Sequence, residues 1–278
     1  MTYGECSGAQ VATAQVVTLT YMRKKESEGM TKKSSLEIQL VAATEFHPPA
    51  DIDWSPDETA TSGEALVEFA GRACYESFDK PNPRTAGNEA YLHHIIEVGH
   101  LALLEHATAT LYIRGISRSA THELVRHRHF SFSQLSQRFV HPEEPEVVVP
   151  ALIAKDEDLS RTFIRAVEDA RFMYEELLSG LEENLANEPN ALLRLKQARQ
   201  AARSVLPNAT ESRIVVTGNY RAWREMIAAH ATEHADEEMR TVAVAALKIL
   251  MEQSPVIFSD FTITKLADGT EMASSPYA

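Results

Sequence analysis

The densest chemistry in the chain lies between Arg126 and Arg138. Arg126-His127-Arg128-His129-Phe130-Ser131-Phe132-Ser133-Gln134-Leu135-Ser136-Gln137-Arg138 sets three guanidiniums, two imidazoles and three serine hydroxyls within thirteen residues. Guanidinium forks match phosphate oxygens two at a time, and Ser and Gln add neutral donors and acceptors suited to a nucleotide's phosphate or base edge. The bland alternative is a basic surface loop paired to the acids of an acidic chain. The density of Ser and Gln favours anion recognition instead. Ser136 is assigned to binding, because no acid-base partner stands at a diagnostic spacing to make it a nucleophile.

Other chemistries find less support. His93, His94, His100, His106, His122, His127, His129, His230 and His234 form no His-Glu-x-x-His helix, and His122 and Glu123 fall on opposite sides of theirs, so no metal is expected. With 11 glycines and no G-x-G-x-x-G or Walker loop, a nucleotide must be held by side chains, chiefly arginines. A nucleic-acid track through Arg114, Arg118, Arg126, Arg128 and Arg138 is the competing reading. A net charge of -13 and the lack of stacking aromatics beyond Phe130, Phe132 and Phe139 weigh against it.

Arg-His-Arg, seven further residues and then Ser, here Arg126 to Ser136, resembles the signature of flavin-dependent thymidylate synthases. The similarity continues through Gly99-His100, Glu105-His106, Ser117-Arg118-Ser119, Thr121-His122-Glu123, Arg199, Arg203, Asn219-Tyr220-Arg221 and Glu233-His234-Ala235, and covers essentially everything after about residue 36. The resemblance implies a homotetramer with shared active sites. Each would bind FAD and convert dUMP to dTMP, with methylenetetrahydrofolate supplying carbon and NADPH supplying reducing equivalents. It places Arg126, His127, Arg128, Glu105, Asn219, Tyr220, Arg221 and Glu225 at the flavin. Arg118, Glu123, Gln134, Leu135, Ser136, Gln137, Arg138 and Arg203 fall at dUMP, and Tyr75, His100 and His234 along a folate or substrate channel.

The chain also departs from that family. His230 stands where the family usually carries an arginine that activates the base. Histidine supplies the same charge only when protonated, so with an ordinary pKa of about 6.5 activity is expected to be weak and to fall as pH rises from about 6 to 8.5. Glu225 stands where relatives have a neutral or imidazole side chain, Ala102 where they have Ser or Thr, and Phe139 where tyrosine is common. A diverged relative that binds FAD and a pyrimidine nucleotide but methylates poorly is the alternative.

The elements that must position these residues read as a mixed α+β fold with an antiparallel-rich sheet flanked by long helices. Leu36, Ile38 and Leu40 alternate as an edge strand, and Ala107 to Ile113 alternates as another. Helices are expected over residues 63–75, 88–98, 117–126, 156–186, 190–205, 220–232 and 233–253, with a short strand at 213–217 and a strand-like run at 256–261. The segment after Arg126 is expected to be an irregular loop. Residues 1–35 read as a poorly ordered extension and 36–278 as a single catalytic domain. With 278 residues, 44% hydrophobic, the chain can bury a sizeable core. Cys6 and Cys74 make no disulfide framework, which suits a reducing, cytoplasmic setting. No apolar run approaches the roughly 20 residues of a membrane span.

Overall fold

The computed structural model describes residues 31–78, 82–140 and 146–278. Most of the expected N-terminal extension, residues 1–30, lies outside the described residues. Its last residues are paired: Lys33 bridges Val147, and the Ser34 amide donates to the Val147 carbonyl at 2.9 Å.

Four strands form one sheet: β1 (Glu37–Ala43), β2 (Thr108–Ser117), β3 (Phe130–Gln134) and β4 (Glu211–Asn219). Their order is β1-β2-β4-β3 and every pairing is antiparallel. The period of two is clean on the central strands. Leu111, Ile113, Ile214 and Val216 are buried, while Thr110, Tyr112, Val215 and Thr217 between them are only partly so. The register of β2 shifts between Ile113 and Ile116, at Gly115 with φ 72°. A Cβ at that position would collide with the Ser35 carbonyl, so a left-handed residue without a side chain is needed there.

The helices are α1 (Ser62–Tyr75), α2 (Asn88–Glu97), α3 (Arg118–Leu124), α4 (Ala151–Ala154), α5 (Glu157–Asn184), α6 (Ala191–Ala202), α7 (Tyr220–His230) and α8 (Glu237–Gln253). The main core joins the buried sheet face to Trp223, Met226 and Ile227 of α7 and to Val242, Ala243, Ala246, Leu247 and Leu250 of α8. Trp223 satisfies its ring N–H on the Ala109 carbonyl at 3.1 Å. The long helix α5 and α6 make a separate small core of Tyr174, Leu178, Ala198 and Ala202. Among the described residues, no helix is long and apolar enough to cross a membrane.

Two local expectations are corrected. Phe130 to Gln134, expected as loop, is strand β3, and the Phe-Ser alternation was the signal for it. The run 256–261, expected as strand, is a series of turns in which the Phe258 amide donates to Ser254 and that of Phe261 to Phe258. Of its four apolar side chains Ile257, Phe258 and Phe261 are buried and Val256 partly so, and turn geometry suits that better than alternation between two faces. A C-terminal hairpin, β5 (Thr262–Lys265) and β6 (Glu271–Ser274), was also unread despite its Asp268-Gly269 turn, in which Gly269 has φ 88°.

The turn segment is pinned to α7 by a buried ion pair. Arg224 donates to both carboxylate oxygens of Asp260 at 2.6 and 2.7 Å and to the Ile257 carbonyl at 2.6 Å, and its guanidinium lies over the Phe261 ring. Ser275 of the C-terminal segment donates to the same carboxylate.

Candidate active site

Helix α3 begins at Ser117, whose hydroxyl caps the Ala120 amide at 3.0 Å. The same serine is gripped from α8. Its amide and hydroxyl both donate to the Glu238 carboxylate, at 2.6 and 2.7 Å. Burial pushes the Glu238 carboxyl up from its ordinary pKa, and the two Ser117 bonds oppose that. This anchorage aims α3 at a cleft of about 450 Å³ lined by Arg118, Thr121, His122, Glu123, Gln134 and Asn208. His122 and Glu123 both border it, where opposite faces were expected, because a helix of seven residues makes only about two turns and the cleft reaches its end.

Gln134, on β3, is held in one orientation. Its Nε2 donates to Thr121 Oγ1 at 2.9 Å and to Ser212 Oγ at 3.0 Å. Thr121 gives its only hydroxyl proton to the Arg118 carbonyl at 2.8 Å, so toward Gln134 it acts as acceptor. The amide nitrogen must therefore face Thr121, which leaves the Gln134 carbonyl oxygen as an acceptor at the cleft wall. Sequence reading missed Thr121, Ser212 and Glu238. Ser212 and Glu238 act on the site through other side chains, Thr121 lines the cleft as well as fixing Gln134, and no spacing in the sequence announces such contacts.

Between α3 and β3 the signature segment makes a tight turn, with the amides of Arg126 and His127 donating to the carbonyls of Glu123 and Leu124. The Arg126 and Arg128 side chains are exposed and have no partner among the described residues. Arg118 and Arg203 are likewise unpaired. His127 turns inward. Its Nε2 meets His230 Nε2 at 2.7 Å, with the rings at 70°. Both imidazoles have lowered pKa values, chiefly through burial. The neighbouring His230 lowers His127 further and Glu225 opposes, while Glu123 and Asp236 oppose the shift at His230.

The remaining expected site residues fall into distinct places. Arg221 is already spent, donating to Glu105 at 2.7 Å and to Glu225 at 3.0 Å. It thus neutralises Glu225, whereas Arg224 is committed to Asp260. Asn219 caps α7 through the Ala222 amide. Tyr220 must be withdrawn as a side-chain ligand of the cofactor: its side chain is 0% exposed, packs on Phe258, and has its hydroxyl in the core, where it accepts from Ser254. Leu135 joins the sheet edge through its amide and the Arg213 carbonyl, and the Ser136 carbonyl closes the turn through Gln137, Arg138 and Phe139. Arg138 lies over the Phe139 ring, as does Lys196, while Arg199 donates to the Phe139 carbonyl at 2.7 Å. Phe139, replacing a common tyrosine, is thus ringed by three cations. Tyr75, 76% exposed, and the exposed His100 and His234 do not line the cleft.

The model of the thymidylate synthase complementing protein family matches residues 58–256, which takes in α1 through α8 and the whole signature segment. The chain belongs to this family. A flavin-dependent thymidylate synthase of Corynebacterium aurimucosum is 74% identical over 249 residues, covering 90% of this chain and all of the relative. The enzyme of that name from Mycobacterium tuberculosis is 58% identical over 249 residues, 90% of this chain and 99% of the relative. Among solved structures, the UMP/dUMP methylase PolB from Streptomyces cacaoi, bound with 5-Br dUMP, superposes with a TM-score of 0.63 over 83% of this chain and 96% of that one. At 20% identity that likeness speaks for the mixed α+β fold alone.

Proposed function

We propose that the chain is a flavin-dependent thymidylate synthase, which binds FAD and dUMP and forms dTMP with methylenetetrahydrofolate as carbon donor and NADPH as reductant. The homotetramer with shared sites and a cytoplasmic location belong to the same proposal. The observation that carries it is the pair of guanidiniums, Arg126 and Arg128, exposed and without a partner among the described residues, on the signature segment of a chain whose net charge is -13. Unspent cations in so acidic a molecule fit the phosphates of a dinucleotide.

The donor set fits a flavin dinucleotide in part. Arg126 and Arg128 would hold its phosphates, while Arg221, bound by two carboxylates, has little charge left to offer. When bound, the flavin supplies the hydride of the reductive methylation. The protein's own residues orient the other reactant. Arg118 offers an unpaired fork to a phosphate, and the Gln134 carbonyl oxygen accepts an N–H such as that on the imide edge of uracil. Residues such as Arg138 and Arg203 supply further cations for the nucleotide.

His230 offers no standing charge. Because burial lowers its pKa against the pull of Glu123 and Asp236, it is neutral at pH 7.5. The decline expected over about pH 6 to 8.5 therefore moves to lower pH, below the ordinary value of about 6.5. His230→Arg restores a permanent positive charge and is expected to raise kcat roughly tenfold at pH 7.5, a modest share of what an electrostatic stabiliser contributes. An unchanged rate would contradict this assignment. The functional reading itself is tested by adding FAD and dUMP to the purified protein and separating it by gel filtration. Co-elution of both is expected, and a colourless protein that retains neither would overturn the reading.

A further inference from the structure

His127 and His230 meet nitrogen to nitrogen, Nε2 to Nε2, at 2.7 Å. At that distance one ring must carry the hydrogen and the other must be bare, so the two tautomers are not independent. The charges around the pair are unequal. Glu123 at the end of α3 and Asp236 before α8 act on His230 and favour hydrogen there. Glu225 of α7 acts on His127, whose protonation His230 opposes. Two carboxylates against one, together with the opposition of His230 to charge on His127, place the shared hydrogen on His230.

We infer that His230 is a positioning residue: it donates its Nε2–H to His127 Nε2 and thereby holds His127 as the Nδ1–H tautomer. The Nδ1 of His127 has no partner among the described residues. In this tautomer it is a donor, so Arg126, His127 and Arg128 each bring N–H groups to the segment. Such groups fit acceptor atoms only, the phosphate or carbonyl oxygens of a nucleotide. The opposite tautomer would leave Nδ1 a bare nitrogen, an acceptor that repels those oxygens. The pair also limits its own titration. A first added proton goes to His230 Nδ1 and leaves the contact intact. A second must land on His127 Nε2, where two N–H groups would face each other and the rings must part.

The inference takes its ligand from the proposed function, but its test needs no ligand and no turnover, so the two fail separately. Two-bond proton–nitrogen correlation spectra of the nitrogen-15-labelled protein at pH 7.5, with His127→Gln used to assign the signal, should show His127 as Nδ1–H. In His230→Leu the same signal should move toward the Nε2–H pattern. His127 found as Nε2–H in the unaltered protein, or the same tautomer before and after His230→Leu, would overturn it. On acidification one ring should titrate first and the other at distinctly lower pH. Both titrating together near their ordinary value would also overturn it.

Discussion

Replacing Arg126 and Arg128 together by alanine should lower FAD affinity by about two to three orders of magnitude, the loss of two charge-assisted contacts. The fold should be untouched, because both side chains are exposed and contact no partner among the described residues. Thermal unfolding and circular dichroism are therefore expected to match those of the unaltered protein. Arg221→Ala is the informative contrast. Its guanidinium is shared between Glu105 and Glu225, so its removal exposes two carboxylates rather than deleting a free cation. FAD titrations followed by flavin fluorescence measure both. Less than a tenfold loss in the Arg126 and Arg128 double variant would remove the signature segment from the flavin phosphates.

The largest stability effect is expected far from any ligand. Arg224→Leu should cost about 3–5 kcal/mol, since it strands Asp260 as a buried charge whose remaining side-chain partner is Ser275. Arg224 is 2% exposed and Asp260 has its pKa lowered by Arg224 and Ser275 against the effect of burial, so the pair is a true ion pair in the native state. Arg224 Nε has no partner among the described residues, which adds to the standing cost of this arrangement. Replacing both members with apolar residues should recover most of the loss, because it is the unpaired charge that destabilises. Urea unfolding of the two single variants and the double variant measures this, and equal losses in all three would contradict it. The site shares the consequence. α7 carries Arg221, Glu225 and His230, and Arg224 is what fixes its outer side to the turns at 256–261.

How far the sequence could be read depended on the range of the interactions. Helices α1, α2, α5 and α8 were legible from periodicity and caps, as were the Leu111 and Val216 faces of the sheet, since these are local patterns repeated over many residues. The signature segment was legible because its chemistry is packed into thirteen residues. What was not legible depends on partners distant in the chain. Tyr220 sits inside a recognisable motif, yet its ring belongs to the core, for the first residue of α7 faces Phe258 rather than solvent. Arg221 was placed at the flavin by its motif, and its pairing with Glu105, 116 residues away, is one that no local pattern shows. His230 read as a lone substitution, whereas the fold pairs it with His127 across 103 residues. Strand β3 was obscured by the density of polar side chains, although every second residue from Phe130 fits a half-buried strand.

The most direct measurement of the central claim is an anaerobic reaction of the FAD-loaded protein with dUMP, methylenetetrahydrofolate and NADPH, followed by chromatography for dTMP. The account predicts dTMP when all components are present and none when FAD, NADPH or methylenetetrahydrofolate is left out. Bound flavin and bound dUMP without any dTMP, in both the unaltered protein and His230→Arg, would contradict it.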